Sequence, residues 1–149
     1  MKWVTRRSIR VNRLATAWLI RRFIDPQAVL LFVEPDEVAE IQQRESAKGF
    51  DAPGATYPHK DDKGRCSFEV LVEEYCPGDA VLREIAQIVR GADFPEEISL
   101  TPESAGVRAI SHGFPLVAAD DHETVEKGAF LYDSLYAALQ QHRAENIPT

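Results

Sequence analysis

Two cysteines, Cys66 and Cys76, are all that the 149 residues contain. That is too few for a disulfide framework, so a reducing, cytoplasmic setting is the expectation. No apolar run approaches the ~18 residues of a membrane span, which argues against any membrane partner. The opening Met1-Lys2-Trp3-Val4-Thr5-Arg6-Arg7 has neither the apolar core nor the small-residue cleavage site of a secretory signal. There is no internal repeat or low-complexity tract. Common catalytic signatures are missing too: no G-x-S-x-G, no P-loop, no G-x-G-x-x-G after a strand, no H-E-x-x-H and no C-x-x-C. Residues 1–24 lack acidic groups altogether.

What is present describes a globular domain. Hydrophobic residues make up 44% and charged residues 28%, the balance of a soluble fold. The length fits one domain, expected over residues 1–144 with a frayed tail at 145–149. The net charge of -7 is unevenly spread: residues 1–24 hold seven basic groups, and the rest holds ten basic against 24 acidic groups. An acidic whole argues against direct nucleic-acid binding. The basic head suits a small anion or the protein's own carboxylates.

Periodicity predicts a helix-rich α+β domain, with about six helices and two or three short strands. Trp3-Val4-Thr5 and Ala28–Val33 read as strands around a helix from about Arg13 to Ile24, with Asn12 as its cap, an arrangement that permits a βαβ crossover. A short helix follows Pro35 and ends near Gly49. Phe50–Arg65 is an irregular loop of the kind that often carries function. Ser67 is expected to cap the next helix. Asp79 caps another that Gly91 stops, and Thr101-Pro102-Glu103 opens one reaching about His112-Gly113. Asp120 and Glu123 form a capping box for the last helix.

Three constellations are candidates for chemistry. His59 stands near Gly64-Arg65-Cys66-Ser67-Phe68-Glu69, where a helix start would favour a Cys66 thiolate. The plainer reading makes Cys66 a small buried residue, Glu69 part of a cap and His59 a solvated loop residue. Asp120-Asp121-His122-Glu123 offers carboxylates and an imidazole that suit zinc, iron or manganese, although capping alone explains Asp120 and Glu123. If folding joined them, His59, Glu69, Asp121 and His122 would make a mixed nitrogen and oxygen metal site, with Asp93 a further candidate. Arg13, Arg21, Arg22 and Arg65 supply guanidinium forks for an oxyanion, unless they pair with internal acids.

The segments Lys2–Arg6, Arg13-Leu14-Ala15, Trp18–Asp25, Gly64–Glu69, Ile88–Asp93 and Ala119–His122 together resemble the chromate resistance protein B domain family, C-terminal domain type, over nearly the whole chain. In that family the domain commonly forms the C-terminal half of a chromate-responsive regulator whose N-terminal half binds DNA. Other members are stand-alone or sit beside a rhodanese-like domain. The resemblance implies a stand-alone domain without the winged-helix segment, so DNA binding is not carried over. It names a process, chromate resistance, rather than a reaction. The expectation is therefore a cytoplasmic stress-response domain that binds a divalent metal, an oxyanion such as chromate, or both. The alternatives are a metal- or thiol-dependent reductase or hydrolase using Cys66, and an interaction module with no small-molecule site. A homo-oligomer is left open.

Overall fold

A computed structural model describes residues 1–146. It is helix-rich α+β, as periodicity predicts. The strands are β1 (Lys2–Arg6), β2 (Val29–Val33) and β3 (Lys48–Gly49). The helices are α1 (Val11–Leu19), α2 (Val38–Glu45), α3 (Ser67–Tyr75), α4 (Ala80–Asp93), α5 (Ser104–Val117) and α6 (Asp121–Glu145). The sheet is parallel in the order β2-β1-β3, with Lys2 opposite Val29 and Arg6 opposite Val33. The β1-α1-β2 crossover is therefore present.

β1 is buried on both faces, as a central parallel strand must be. Trp3 points into the main core with Leu14, Trp18, Phe68 and Tyr132. Val4 points the other way, into a smaller core with Val38 and Ile41 of α2. Beyond β3 the chain keeps following β1: Phe50 N–H donates to the Val4 carbonyl at 3.0 Å, and Thr5 Oγ1 donates to the Phe50 carbonyl at 2.6 Å. This carries Asp51 to the C-terminal end of the sheet. Arg6 fixes it there through Nε to the Asp51 carbonyl at 2.8 Å.

Several boundaries differ from expectation for identifiable reasons. Asn12 does not cap α1. It is fully buried and reaches across to α3, donating to Ser67 Oγ at 2.7 Å and accepting from Phe68 N–H at 3.2 Å. Arg10 is the residue before α1, which has no side-chain cap and no acid in its first turn. The helix ends in a π-helical turn, Ile20–Ile24. Cys66, rather than Ser67, precedes α3, and the short helix after Pro35 gives way to β3 before Gly49. Gly91 does not stop α4, which continues to Asp93. A Cβ there would lie 2.4 Å from Ser104 Oγ, so the glycine is a point of close approach between α4 and α5. α5 runs past His112-Gly113 with Pro115 inside it. Asp79 and Asp120 cap α4 and α6 as expected, accepting from Leu82 N–H at 2.9 Å and Glu123 N–H at 2.8 Å. Glu145, where the expected tail begins, is the last residue of α6; positions 147–149 of that tail lie outside the described residues.

Candidate functional site

The C-terminal end of a parallel sheet, where strand ends meet helix starts, is the usual place for ligands in such folds. Here β1 leads through Arg7–Arg10 into α1. Asp51 arrives from β3, His59 from the irregular loop, and Asp93 from the last turn of α4. His59 Nδ1 lies 2.8 Å from Asp51 Oδ1 and 3.5 Å from Asp93 Oδ2, and the three ligand-type atoms all fall within 4.8 Å of one another. Among the described residues this is the one group of three or more such side chains with metal-binding spacing.

The chemistry of the donors fits a divalent ion. Two carboxylates and an imidazole form a mixed oxygen and nitrogen set suited to zinc, iron or manganese. Bonds of about 2.1 Å around a tetrahedral ion place ligands about 3.4 Å apart, close to the spacing found, and three protein ligands leave a coordination position open. Asp51 is 3% and Asp93 12% exposed, while His59 is half exposed and offers an entry side. Asp93 Oδ2 is buried and has no hydrogen-bond partner. Burial, reinforced by the Asp51 carboxylate, pushes the Asp93 carboxyl up to about 6. His59 is raised as well, chiefly by its hydrogen bond to Asp51.

Beside these groups lies a cavity of about 180 Å³. It is small against the ~300–1,000 Å³ of typical organic-ligand sites and suits an ion. Asp51 and Asp93 line it together with Arg6, Arg10, Arg13 and Arg108, and Val11 and His112 complete the lining. Arg6 Nη2 reaches Asp51 Oδ1 at 3.4 Å. The other three make no ion pair among the described residues. Arg13 is 6% exposed, donates only to the Ser8 carbonyl at 3.2 Å, and leaves its Nε without a partner. Burial lowers its pKa, with Asp51 as the main opposing influence. Arg108 donates to the Ala92 carbonyl at 2.8 Å. In a chain with net charge -7, three guanidinium groups without an ion-pair partner around one cavity are conspicuous.

The backbone is strained at the same place. Ser8, Val11 and Asp51 adopt positive φ of 60°, 32° and 49°. For a β-branched residue such as Val11 this is costly, on the order of 1–3 kcal/mol. Val11 and Asp51 line the cavity, and the Ser8 carbonyl holds Arg13. The uncapped start of α1 opens onto it, adding the positive end of a helix dipole to the arginines.

The residues singled out from sequence are distributed differently. Of His59, Glu69, Asp121 and His122, the structure places His59 in the cluster, together with Asp93. Glu69 accepts from Cys66 N–H at 3.0 Å and pairs with Arg90 at 3.4 Å, closing the α3 cap. Asp121 accepts from the N–H groups of Ser8 at 2.9 Å and Ile9 at 2.8 Å. His122 packs edge-on against Phe32, with ring centroids 4.9 Å apart, beside two open depressions of about 540 and 500 Å³. Of Arg13, Arg21, Arg22 and Arg65, only Arg13 faces the cavity. Arg65 pairs with Asp61 and Glu73, Arg22 pairs with Asp133 at 3.4 Å, and Arg21 Nε meets the Ala28 carbonyl at 3.4 Å. Cys66 is fully buried, and desolvation raises its thiol well above the ordinary value, with Glu69 adding to the effect. The plainer reading of Cys66 as a small buried residue fits this placement, in which burial outweighs the helix start. Sequence reasoning missed Asp51, Arg6, Arg10 and Arg108 as site residues. The irregular loop containing Asp51 was the available signal; Arg108 gave none, being one arginine on an amphipathic helix.

Known proteins give a consistent placement. A family model described as "ChrB, C-terminal domain" matches residues 3–139. The chain is 35% identical to Protein ChrB of Cupriavidus metallidurans over 146 residues, covering 95% of this chain and 42% of that protein. It thus spans less than half the length of this curated relative. No solved structure matches. No helix among the described residues is long and apolar enough to cross a membrane. With both its sequence motifs and a match spanning nearly its whole length, the chain belongs to the ChrB C-terminal domain family.

Proposed function

We propose that this domain serves chromate resistance as a binding domain. It holds a divalent transition metal on Asp51, His59 and Asp93, and a tetrahedral oxyanion of the chromate class in the adjoining arginine pocket. The observation that carries this reading is the convergence of unpaired guanidinium groups, one of them 94% buried by its 6% exposure, on a cavity lined by Asp51 and Asp93, which His59 contacts. Guanidinium forks grip oxyanions bidentately, and the open start of α1 adds N–H donors. The two free cysteines fit a reducing cytoplasm. The acidic remainder of the surface favours a small ion over a nucleic acid.

Elemental analysis after dialysis against zinc, manganese or ferrous iron tests the metal half. One equivalent per chain is expected. His59→Ala removes it, whereas His122→Ala leaves it in place. Metal at about a hundred times its dissociation constant adds roughly 2.7 kcal/mol to stability. Calorimetric titration with chromate and sulfate tests the anion half, and Arg13→Lys weakens binding although charge is kept. A protein that takes up no metal, shows no melting shift and gives flat anion titrations overturns the proposal.

A further inference from the structure

The two halves of this pocket share their charges. Arg6 holds Asp51 Oδ1 at 3.4 Å, while Asp51 and Asp93 line the same 180 Å³ cavity as Arg10, Arg13 and Arg108. An oxyanion entering the metal-free pocket meets two buried carboxylates that line it beside its donors. Four guanidinium groups against two carboxylates leave a net charge of about +2, before the histidines are considered, and like-charge contacts at low effective dielectric are costly. A divalent ion on Asp51, His59 and Asp93 cancels both carboxylates, gives Asp93 Oδ2 its missing partner and frees Arg6 Nη2 from Asp51 Oδ1, while Arg6 Nε keeps its bond to the Asp51 carbonyl.

We infer that metal occupancy switches the oxyanion site on: the Asp51–His59–Asp93 cluster is a regulatory gate for the Arg6–Arg10–Arg13–Arg108 pocket, acting by neutralising the carboxylates that line it. The inference rests on the binding reading above and adds the dependence of one ligand on the other. Coupling of this kind is reciprocal, so sulfate or chromate tightens metal binding by the same factor. The device would let the domain respond to an oxyanion only when its metal is in place.

The test uses the whole chain and sulfate, titrated by calorimetry into chelator-treated protein and into protein loaded with manganese. At least tenfold tighter sulfate binding in the loaded protein is expected, with an equal gain in manganese affinity at saturating sulfate. The double variant Asp51→Asn with Asp93→Asn separates charge from direct coordination. Asparagine tolerates the positive φ at position 51 and keeps an acceptor for Arg6 and His59. It should bind no manganese, yet take sulfate without metal as tightly as the loaded parent. Should the double variant fail to fold, Asp93→Asn alone serves, with an intermediate gain. Manganese and sulfate binding independently would overturn the gate while leaving both sites standing. Uptake of no metal by the parent chain overturns the binding reading first, and the gate with it. A double variant no better than the metal-free parent, beside a loaded parent that does bind more tightly, would also overturn it, since sulfate would then be ligating the metal directly.

Discussion

Two helices start side by side at the sheet's C-terminal end and are built in opposite ways. α6 opens with Asp120, whose side chain accepts from Glu123 N–H at 2.8 Å, and has acids in its first turn. α1 opens with Arg10 and has neither a side-chain cap nor an acid. Asp121 links the two, because its carboxylate accepts from Ser8 and Ile9, the residues that lead into α1. The acids of α6 are thus consumed by structure, while the start of α1 stays electropositive and open to the cavity. A run of carboxylates and a histidine at a helix start looks like a ligand set. Here the uncapped helix is the one facing the arginine-lined cavity. Local completeness of hydrogen bonding distinguishes them better than composition does.

The largest effect should come from Asp121→Ala, which leaves two N–H groups unpaired at a turn where Ser8 has φ 60°. Hydrogen bonds to a charged group contribute about 1.5–3 kcal/mol each. A loss of about 3 kcal/mol in urea unfolding is expected, and sulfate binding should weaken as the start of α1 loosens. A loss under about 1 kcal/mol would show that α6 does not brace α1.

Next comes a stabilising change at the site. Burial and the Asp51 carboxylate hold the Asp93 carboxyl at about 6, above its ordinary 3.8, so its charged form is disfavoured in the folded protein at pH 8. Asp93→Asn should therefore stabilise metal-free protein by on the order of 2 kcal/mol, about two thirds of the full shift at about 1.4 kcal/mol per pKa unit. It should also abolish metal binding, the trade expected of a functional carboxylate. Urea unfolding in the presence of chelator measures the first effect. Destabilisation instead would mean that Asp93 is a structural ion-pair partner.

Much of the fold was legible because its signals are local. The Asp120 cap of α6 and the Asp79 cap of α4 each lie within a few residues, although the Glu123 half of the expected capping box is not formed, since Glu123 pairs with Lys127; the strand–helix–strand run is read from three contiguous segments. The errors arose where a residue answers to something distant in sequence. Asn12 looked like a cap for the helix it sits in and instead caps α3, 55 and 56 positions away. Gly91 looked like a stop and makes room for Ser104. His59 and Asp93 were legible as candidates, but their partner Asp51 is placed by backbone pairing with β1 and Tyr57, which no spacing in the sequence reveals.

A third change would convert one helix start into the other. Arg10→Asp supplies the missing cap to α1, and a good N-cap adds about 1 kcal/mol. Stability should rise by that much in thermal or urea unfolding, while sulfate binding falls at least tenfold because an acid now faces the anion. Unchanged sulfate affinity would show that the pocket does not use the start of α1.

The smallest expected effect concerns another helix start, that of α3, which buries a thiol. Desolvation raises Cys66 well above the ordinary thiol range. A raised folded pKa makes the contribution of this group fully present below the unfolded value of about 8.5, and lost as pH rises towards the folded value. The loss between pH 7 and pH 9 is then about 0.8 kcal/mol from this group alone. Other groups titrate in the same window, so the quantity to measure is a difference. The stability gap between the parent chain and Cys66→Ala should shrink by that amount over the interval, while the constant cost of the small cavity drops out. Thiol labelling gives an independent check: native protein at pH 8 should react at Cys76, which is partly exposed, and at Cys66 only on the timescale of unfolding. Rapid labelling of both thiols, with a gap that does not change with pH, would make Cys66 an accessible thiolate. It would also restore to the start of α3 the reactivity that burial removes.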